Sequence, residues 1–154
     1  MLLSKNAGIE QRLLVEQIAR SWLSTPFHDH GRVKGAGCDC ATFLLCTFEE
    51  AGLIPHTDVG HYSPQFFMHS AEERYLGWVK KFGREIDIEQ AKPGDIVLYK
   101  AGLCFCHGAL IVAPGWPSII HAHAASRCVR RGDGRNPHLG MRILDVKFFS
   151  LWRD

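Results

Sequence analysis

From Ile9 to Leu23 the apolar residues Ile9, Leu13, Leu14, Ile18 and Trp22 recur at helical spacing and form one face. Glu10, Gln11, Arg12 and Glu16 lie largely off that face, and Thr25-Pro26 ends the segment. A loop from Phe27 to Gly37 follows, punctuated by Gly31, Gly35 and Gly37. A second helix is predicted to open at Cys40 with Asp39 as N-cap. It carries a dense apolar face of Phe43, Leu44, Thr47 and Phe48, and Gly52 stops it. Ser63-Pro64 is a third start signal, predicting a helix to about Lys81 across the polar stretch His69 to Glu73.

Beyond Gly83 the period changes. Asp95 to Tyr99, His107 to Ala113, Ser118 to His123, Cys128 to Arg131 and Arg142 to Phe149 read as short strands. Lys100-Ala101-Gly102, Pro114-Gly115 and Gly132-Asp133-Gly134 supply turns between them. Helices first and a strand meander afterwards predict an α+β domain over residues 1–154, with N-terminal helices packed on a mainly antiparallel sheet of five to six strands.

Composition fits this picture. Of the 154 residues, 46% are apolar and 22% charged, as in a globular protein rather than a disordered one. A net charge of +2 argues against a nucleic-acid partner. The basic stretch Arg127 to Arg135 is interrupted by Asp133 and reads as a solvated loop. No apolar leader follows Met1-Leu2-Leu3, and no run reaches the roughly 18 apolar residues of a membrane span, so synthesis in the cytosol is expected. The cysteines at 38, 40, 46, 104, 106 and 128 are expected to be reduced there. Cys38/Cys40 and Cys104/Cys106 are spaced C-x-C, which suits a zinc ribbon less well than C-x-x-C.

Cys40 carries the clearest chemistry. In the first turn of a helix a thiol faces unpaired N–H groups and the positive dipole end, which lowers its pKa. The same N–H groups are candidates for holding an oxyanion. Cys38 lies outside the helix and gains less, and Cys46 reads as core. A thiolate needs a proton donor for the leaving amine. The candidates are His107 in Cys-His-Gly-Ala-Leu-Ile-Val and His121 in Ile-Ile-His-Ala, both on apolar strands. One would serve as base and the second as its orienting group. His123 shares a strand face with His121 and is the alternative third residue. His56, His61, His69 and His138 read as surface or loop residues. Asp95, after Pro93-Gly94, reads as a turn residue holding backbone N–H groups. Trp116 reads as core or rim, with a groove wall as its functional alternative.

Taken together, Thr25-Pro26-Phe27, Gly37-x-Asp39-Cys40, Lys92-Pro93-Gly94-Asp95-Ile96-Val97, His107-Gly-Ala-Leu-Ile-Val and Ile-Ile-His121-Ala occur in the order of one known family. The chain resembles the NlpC/p60 cell-wall cysteine peptidases, which have a papain-like core. The loop Gly31 to Gly35 is most similar to members encoded in phage tail and prophage clusters. The resemblance implies Cys40 as nucleophile, His107 as base and His121 as the residue that orients it. It also implies a substrate or oxyanion region around Phe27, His28, Asp39 and Ala41. Two positions depart from the family pattern. Phe27 stands where a tyrosine hydroxyl is usual, with His28 or His30 as candidate replacements. Ala41 stands where serine usually follows the nucleophile.

What the resemblance implies is a thiol hydrolase, with no metal or cofactor, that cleaves an amide in bacterial cell-wall peptides. The bond implied is the one after D-glutamate, next to a diamino acid. The expected partner is a peptidoglycan peptide, with phage tail proteins if the enzyme is built into a tail particle. The competing function is a structural or zinc-binding tail-assembly module with a vestigial peptidase site.

Overall fold

The computed structural model describes residues 5–154. Helix α1 spans Lys5–Ser21, α2 Cys40–Glu50, α3 Phe66–His69 and α4 Arg74–Phe82. The two-residue strands β1 (Arg32–Val33) and β2 (Gly37–Cys38) form a hairpin just before α2. The main sheet comprises β3 (Arg84–Ile86), β4 (Ile96–Ala101), β5 (Cys104–Ile111), β6 (Ser118–His123), β7 (Cys128–Asp133) and β8 (Asp145–Ser150). Its order is β3-β8-β4-β5-β6-β7, and every neighbouring pair is antiparallel. The fold is therefore α+β, with the helices packed on one face of a six-stranded sheet, as the sequence pattern predicts.

Alternate residues of each strand enter different cores, as the two-residue period requires. On the helical face Phe43, Leu44, Leu98, Leu110, Ile120 and Phe149 pack with Val15 of α1 and with Trp22 just after it. On the opposite face Val97, Tyr99, Ile111, Ile119 and Phe148 form a second cluster under loops that carry Trp116, Leu139 and Ile143. Trp116 is partly buried and packs against this cluster, edge-on to Phe148 at 4.8 Å. No helix among the described residues is long and apolar enough to cross a membrane.

Four expectations are corrected. The buried face of α1 is rotated from the apolar stripe. Ile9 and Leu13 are 56% and 59% exposed, whereas Arg12 and Glu16 are buried beside Val15, Ile18 and Ala19. Both polar residues have distant partners: Arg12 pairs with Asp95 at 2.9 Å, and Glu16 accepts the Ala113 N–H at 2.6 Å. Helical periodicity contains neither partner. The third predicted helix is interrupted: Ser70 is extended and its hydroxyl accepts the Glu72 N–H, separating α3 from α4. A side chain that competes for backbone N–H groups in this way stops a helix. The turn predicted at Lys100 is displaced to Gly102 and Leu103, where Gly102 takes φ +65° against the Phe67 carbonyl. Finally, the predicted strand from Cys128 to Arg131 runs on to Asp133 as β7, so most of the Arg127 to Arg135 stretch is strand and not loop.

Candidate active site

The start of α2 is built by Asp39. Its Oδ1 accepts the N–H groups of Ala41 (3.0 Å) and Thr42 (2.9 Å), while Thr42 Oγ1 accepts the Asp39 N–H at 2.9 Å. This reciprocal capping box fixes Cys40 in the first turn. The second oxygen of Asp39 accepts the His30 N–H at 2.9 Å and the Tyr62 hydroxyl. The carboxylate is thus fully occupied in holding the turn. The capping box also takes up two of the N–H groups available for an oxyanion, and leaves that of Cys40 itself outside it.

On the sheet side, β5 carries one residue more than β4 opposes. Tyr99 pairs with His107 but Lys100 pairs with Phe105, so Cys106 is the extra residue of a bulge. Bulges re-aim side chains and bend the strand. Strands β5 and β6 pair only at Leu110–Ile120 and Ile111–Ile119, and separate beyond that point. The separation opens a cleft lined by Phe27, Cys40, Phe67, Cys106, His107 and Met141. Cys40 Sγ lies 3.7 Å from the Cys106 carbonyl oxygen. The buried Tyr75 hydroxyl donates to the Cys40 carbonyl at 3.0 Å. That hydroxyl sits where Gly108 leaves room: a Cβ on Gly108 would lie 2.5 Å from it.

The histidines fall into two groups by their bonds. His107 Nε2 and His121 Nδ1 are 2.8 Å apart, with the rings edge-on at 76°. His123, on the same face of β6, is bonded instead to Ser126 Oγ (2.6 Å) and to the His138 carbonyl (2.7 Å). Cys40, His107 and Phe27 therefore line one cleft, while His121 does not line it and reaches it only through its bond to His107. His28, Asp39 and Ala41 do not line it. His28 is exposed and its ring is turned to the Asp29 carbonyl. His30 stacks on His61 at 5.2 Å, away from the cleft. Ala41 faces an apolar cavity with Leu44 and Tyr75. Neither His28 nor His30 therefore places a donor where Phe27 lacks one.

The electrostatics also correct an expectation. Burial pushes the Cys40 thiol above its ordinary value, reinforced by the Asp39 carboxylate; the Gly108 N–H and Tyr75 pull the other way without reversing it. Desolvation is the largest cause of the shift. Burial likewise holds His107 well below the ordinary histidine value, and lowers His121 to about 3, with His123 adding to both shifts. The resting site is a neutral thiol beside neutral imidazoles.

Acid sensitivity follows. From an ordinary value of 6.5, His121 falls to about 3 on folding and His107 also falls far, so below pH 6.5 the unfolded chain binds more protons. Stability from this pair is fully present above about pH 6.5 and declines as pH falls below it. Urea midpoints between about pH 6.5 and 5.5, where most carboxylates are still ionised, should drop steadily. They should drop less steeply in His121→Asn. A flat wild-type profile over that window would contradict the buried neutral pair.

All six cysteines are free thiols. Among the described residues no group of three or more His, Cys, Asp or Glu side chains is arranged to hold a metal ion.

The sequence did not signal Tyr62, Tyr75 or the bulge at Cys106. Each depends on a partner distant in the chain.

No family model matches the chain, and no curated protein matches it. Solved structures do. The NlpC/p60 domain of the peptidoglycan hydrolase SagA superposes with a TM-score of 0.59 at 18% identity, covering 88% of this chain and 96% of that one. The NlpC2 protein of Trichomonas vaginalis gives 0.62 at 14% identity, with 94% of this chain matched to 47% of that chain. The peptidoglycan hydrolase RipB of Mycobacterium tuberculosis gives 0.65 at 16% identity, covering 99% and 70%. At these identities the likeness is one of architecture, and on it the chain has the NlpC/p60 fold.

Proposed function

We propose that the protein is a thiol hydrolase that cleaves an amide bond in bacterial cell-wall peptides. The observation that carries this reading is the pairing of His107 with His121 at 2.8 Å, in a cleft that His107 shares with a cysteine at a helix start. The peptidoglycan hydrolases among proteins of the same fold supply the substrate class.

The bonds support the following roles. His107 Nε2 is engaged with His121, so Nδ1 is the nitrogen that serves Cys40. As the sulfur attacks the amide carbon, His107 Nδ1 takes the thiol proton and the carbonyl oxygen gains the negative charge. Because the resting pair is neutral, this transfer accompanies attack instead of preceding it. The Cys40 N–H is the donor for the oxyanion. The imidazolium then protonates the leaving amine, leaving a thioester on Cys40. A water that gives its proton to His107 hydrolyses the thioester and restores the thiol. His121 accepts the Nε2–H of His107 and keeps the ring aligned.

The scissile bond we infer is that between D-glutamate and a diamino acid. Incubation with defined muropeptides, followed by mass spectrometry of the products, tests both levels. Fragments split after D-glutamate are expected. Cleavage of a different amide would move the bond and keep the chemistry. Intact muropeptides after prolonged incubation with folded protein would remove the function.

A further inference from the structure

Arg130 and Arg131 lie on β7, where Arg130 is the direct cross-strand partner of His121. Behind His121 a basin opens, lined by His121, His123, Arg130, Asn136 and His138, with Arg131 at its rim. It adjoins the catalytic cleft, since His123 and His138 line both.

The proton positions there can be worked out from the partners. The His138 carbonyl can only accept, so His123 donates Nε2–H to it at 2.7 Å. His123 Nδ1 then accepts the Ser126 hydroxyl proton at 2.6 Å, and Ser126 Oγ accepts from Arg130 Nη1 at 2.8 Å. Arg130 is thereby pinned at the basin edge. It has no carboxylate partner among the described residues. For His107 to present a bare Nδ1 to Cys40, its proton must lie on Nε2 and point to His121 Nδ1. His121 then carries its own proton on Nε2. That nitrogen faces Gly132, where a Cβ would lie 3.0 Å away, and no described protein group accepts from it. His121 is only 2% exposed, so its N–H has few routes to solvent other than the basin. The acid at the rim, Asp133, is turned to Arg135 at 2.9 Å.

We propose that this basin binds a carboxylate, held by His121 Nε2–H and the Arg130 guanidinium, and that the bound carboxylate completes the relay behind His107. The inference rests on the proposed roles of His107 and His121. A guanidinium fork matches a planar carboxylate in geometry as well as charge. The bound anion fixes the His121 tautomer that leaves His107 ready as base, and steadies the imidazolium formed during attack. The carboxylate is either the substrate's own, reaching round His138 from the cleft, or a free one from solution.

Sodium acetate is the probe. Histidine-labelled protein is titrated at constant ionic strength while the ring nitrogens are followed by NMR. A saturable shift of His121 Nε2 is expected, about tenfold weaker in affinity in Arg130→Gln. Arg130→Lys, which keeps charge but not the fork, should fall between, and Lys81→Gln on α4 should match wild type. No saturable shift, or equal affinity in Arg130→Gln, overturns the site. Turnover on muropeptide separates the sources. Acetate that raises KM at unchanged kcat identifies the substrate's own carboxylate, and acetate that raises kcat identifies a free one. Acetate that binds yet changes neither overturns the relay. If no muropeptide is cleaved, the proposed function fails while the NMR titration still decides the site.

Discussion

His107→Ala should lower kcat/KM by about 10³- to 10⁴-fold, at the upper end of what a positioned acid–base group contributes. The loss is large because the neutral resting pair gives no thiolate in advance. Without His107, Cys40 must lose its proton to water from a site where burial already opposes ionisation. His121→Ala should cost less, since the base remains and only its alignment is lost. His121→Asn should recover part of that, because an amide oxygen can accept the His107 Nε2–H. His107→Ala combined with His121→Ala should be little worse than His107→Ala alone, as members of one relay are not additive. His123→Ala should be mild, because its bonds run to Ser126 and His138 and not to His107. The check is turnover of each variant with fold verified by circular dichroism. A folded His107→Ala protein at the wild-type rate would contradict the mechanism. A dead His123→Ala beside an active His121→Ala would keep the mechanism and move the third role to His123.

The largest stability effect is expected far from the cleft, where Arg12 of α1 meets the start of β4. Its guanidinium donates to Asp95 at 2.9 Å, to Asp154 at 2.8 and 3.0 Å and to the Pro93 carbonyl at 3.1 Å. It lies 4.2 Å over the Trp152 ring. Asp95 is fully buried and also accepts the Lys92 N–H at 2.9 Å. Burial raises its pKa despite Arg12, which shows how much the carboxylate depends on that partner. Arg12→Ala leaves the charge orphaned, and should lower unfolding stability by about 3–5 kcal/mol. Restoring an apolar pair, as in Arg12→Met with Asp95→Leu, should recover part of this; the freed Lys92 N–H prevents full recovery. Urea unfolding of the two single variants and the double measures the coupling. A single-variant loss below about 1 kcal/mol would show that the pair behaves like a surface ion pair.

The same pair explains why the face of α1 was not legible. Apolar spacing selected Ile9, Leu13 and Leu14, but Arg12 and Glu16 are taken inward by Asp95 and by the Ala113 N–H, both remote in sequence. Where elements are specified locally, pattern and structure agree. Asp39 before Cys40 with Thr42 three residues on is a cap that can be read directly. The strands β4, β6 and β8 follow from alternating and branched residues. Their ends do not, because they are set by Gly102 under Phe67 and by the bulge at Cys106. The triplet Cys40, His107 and His121 was readable as types and order; Cys40 and His107 line one cleft, and His121 meets His107 from outside its lining. The ionisation state was not readable. A helix start predicts a lowered thiol pKa, whereas burial and the Asp39 carboxylate raise it, and neither the burial nor its extent is visible in the sequence.

The most direct test is to quench the protein with acid during turnover on a muropeptide and map the covalent intermediate by mass spectrometry. The expected result is an acyl thioester on the peptide containing Cys40, with the mass of the fragment that retains the carbonyl, absent from Cys40→Ala. An adduct on another cysteine, or cleavage by folded Cys40→Ala at the wild-type rate, would contradict the account.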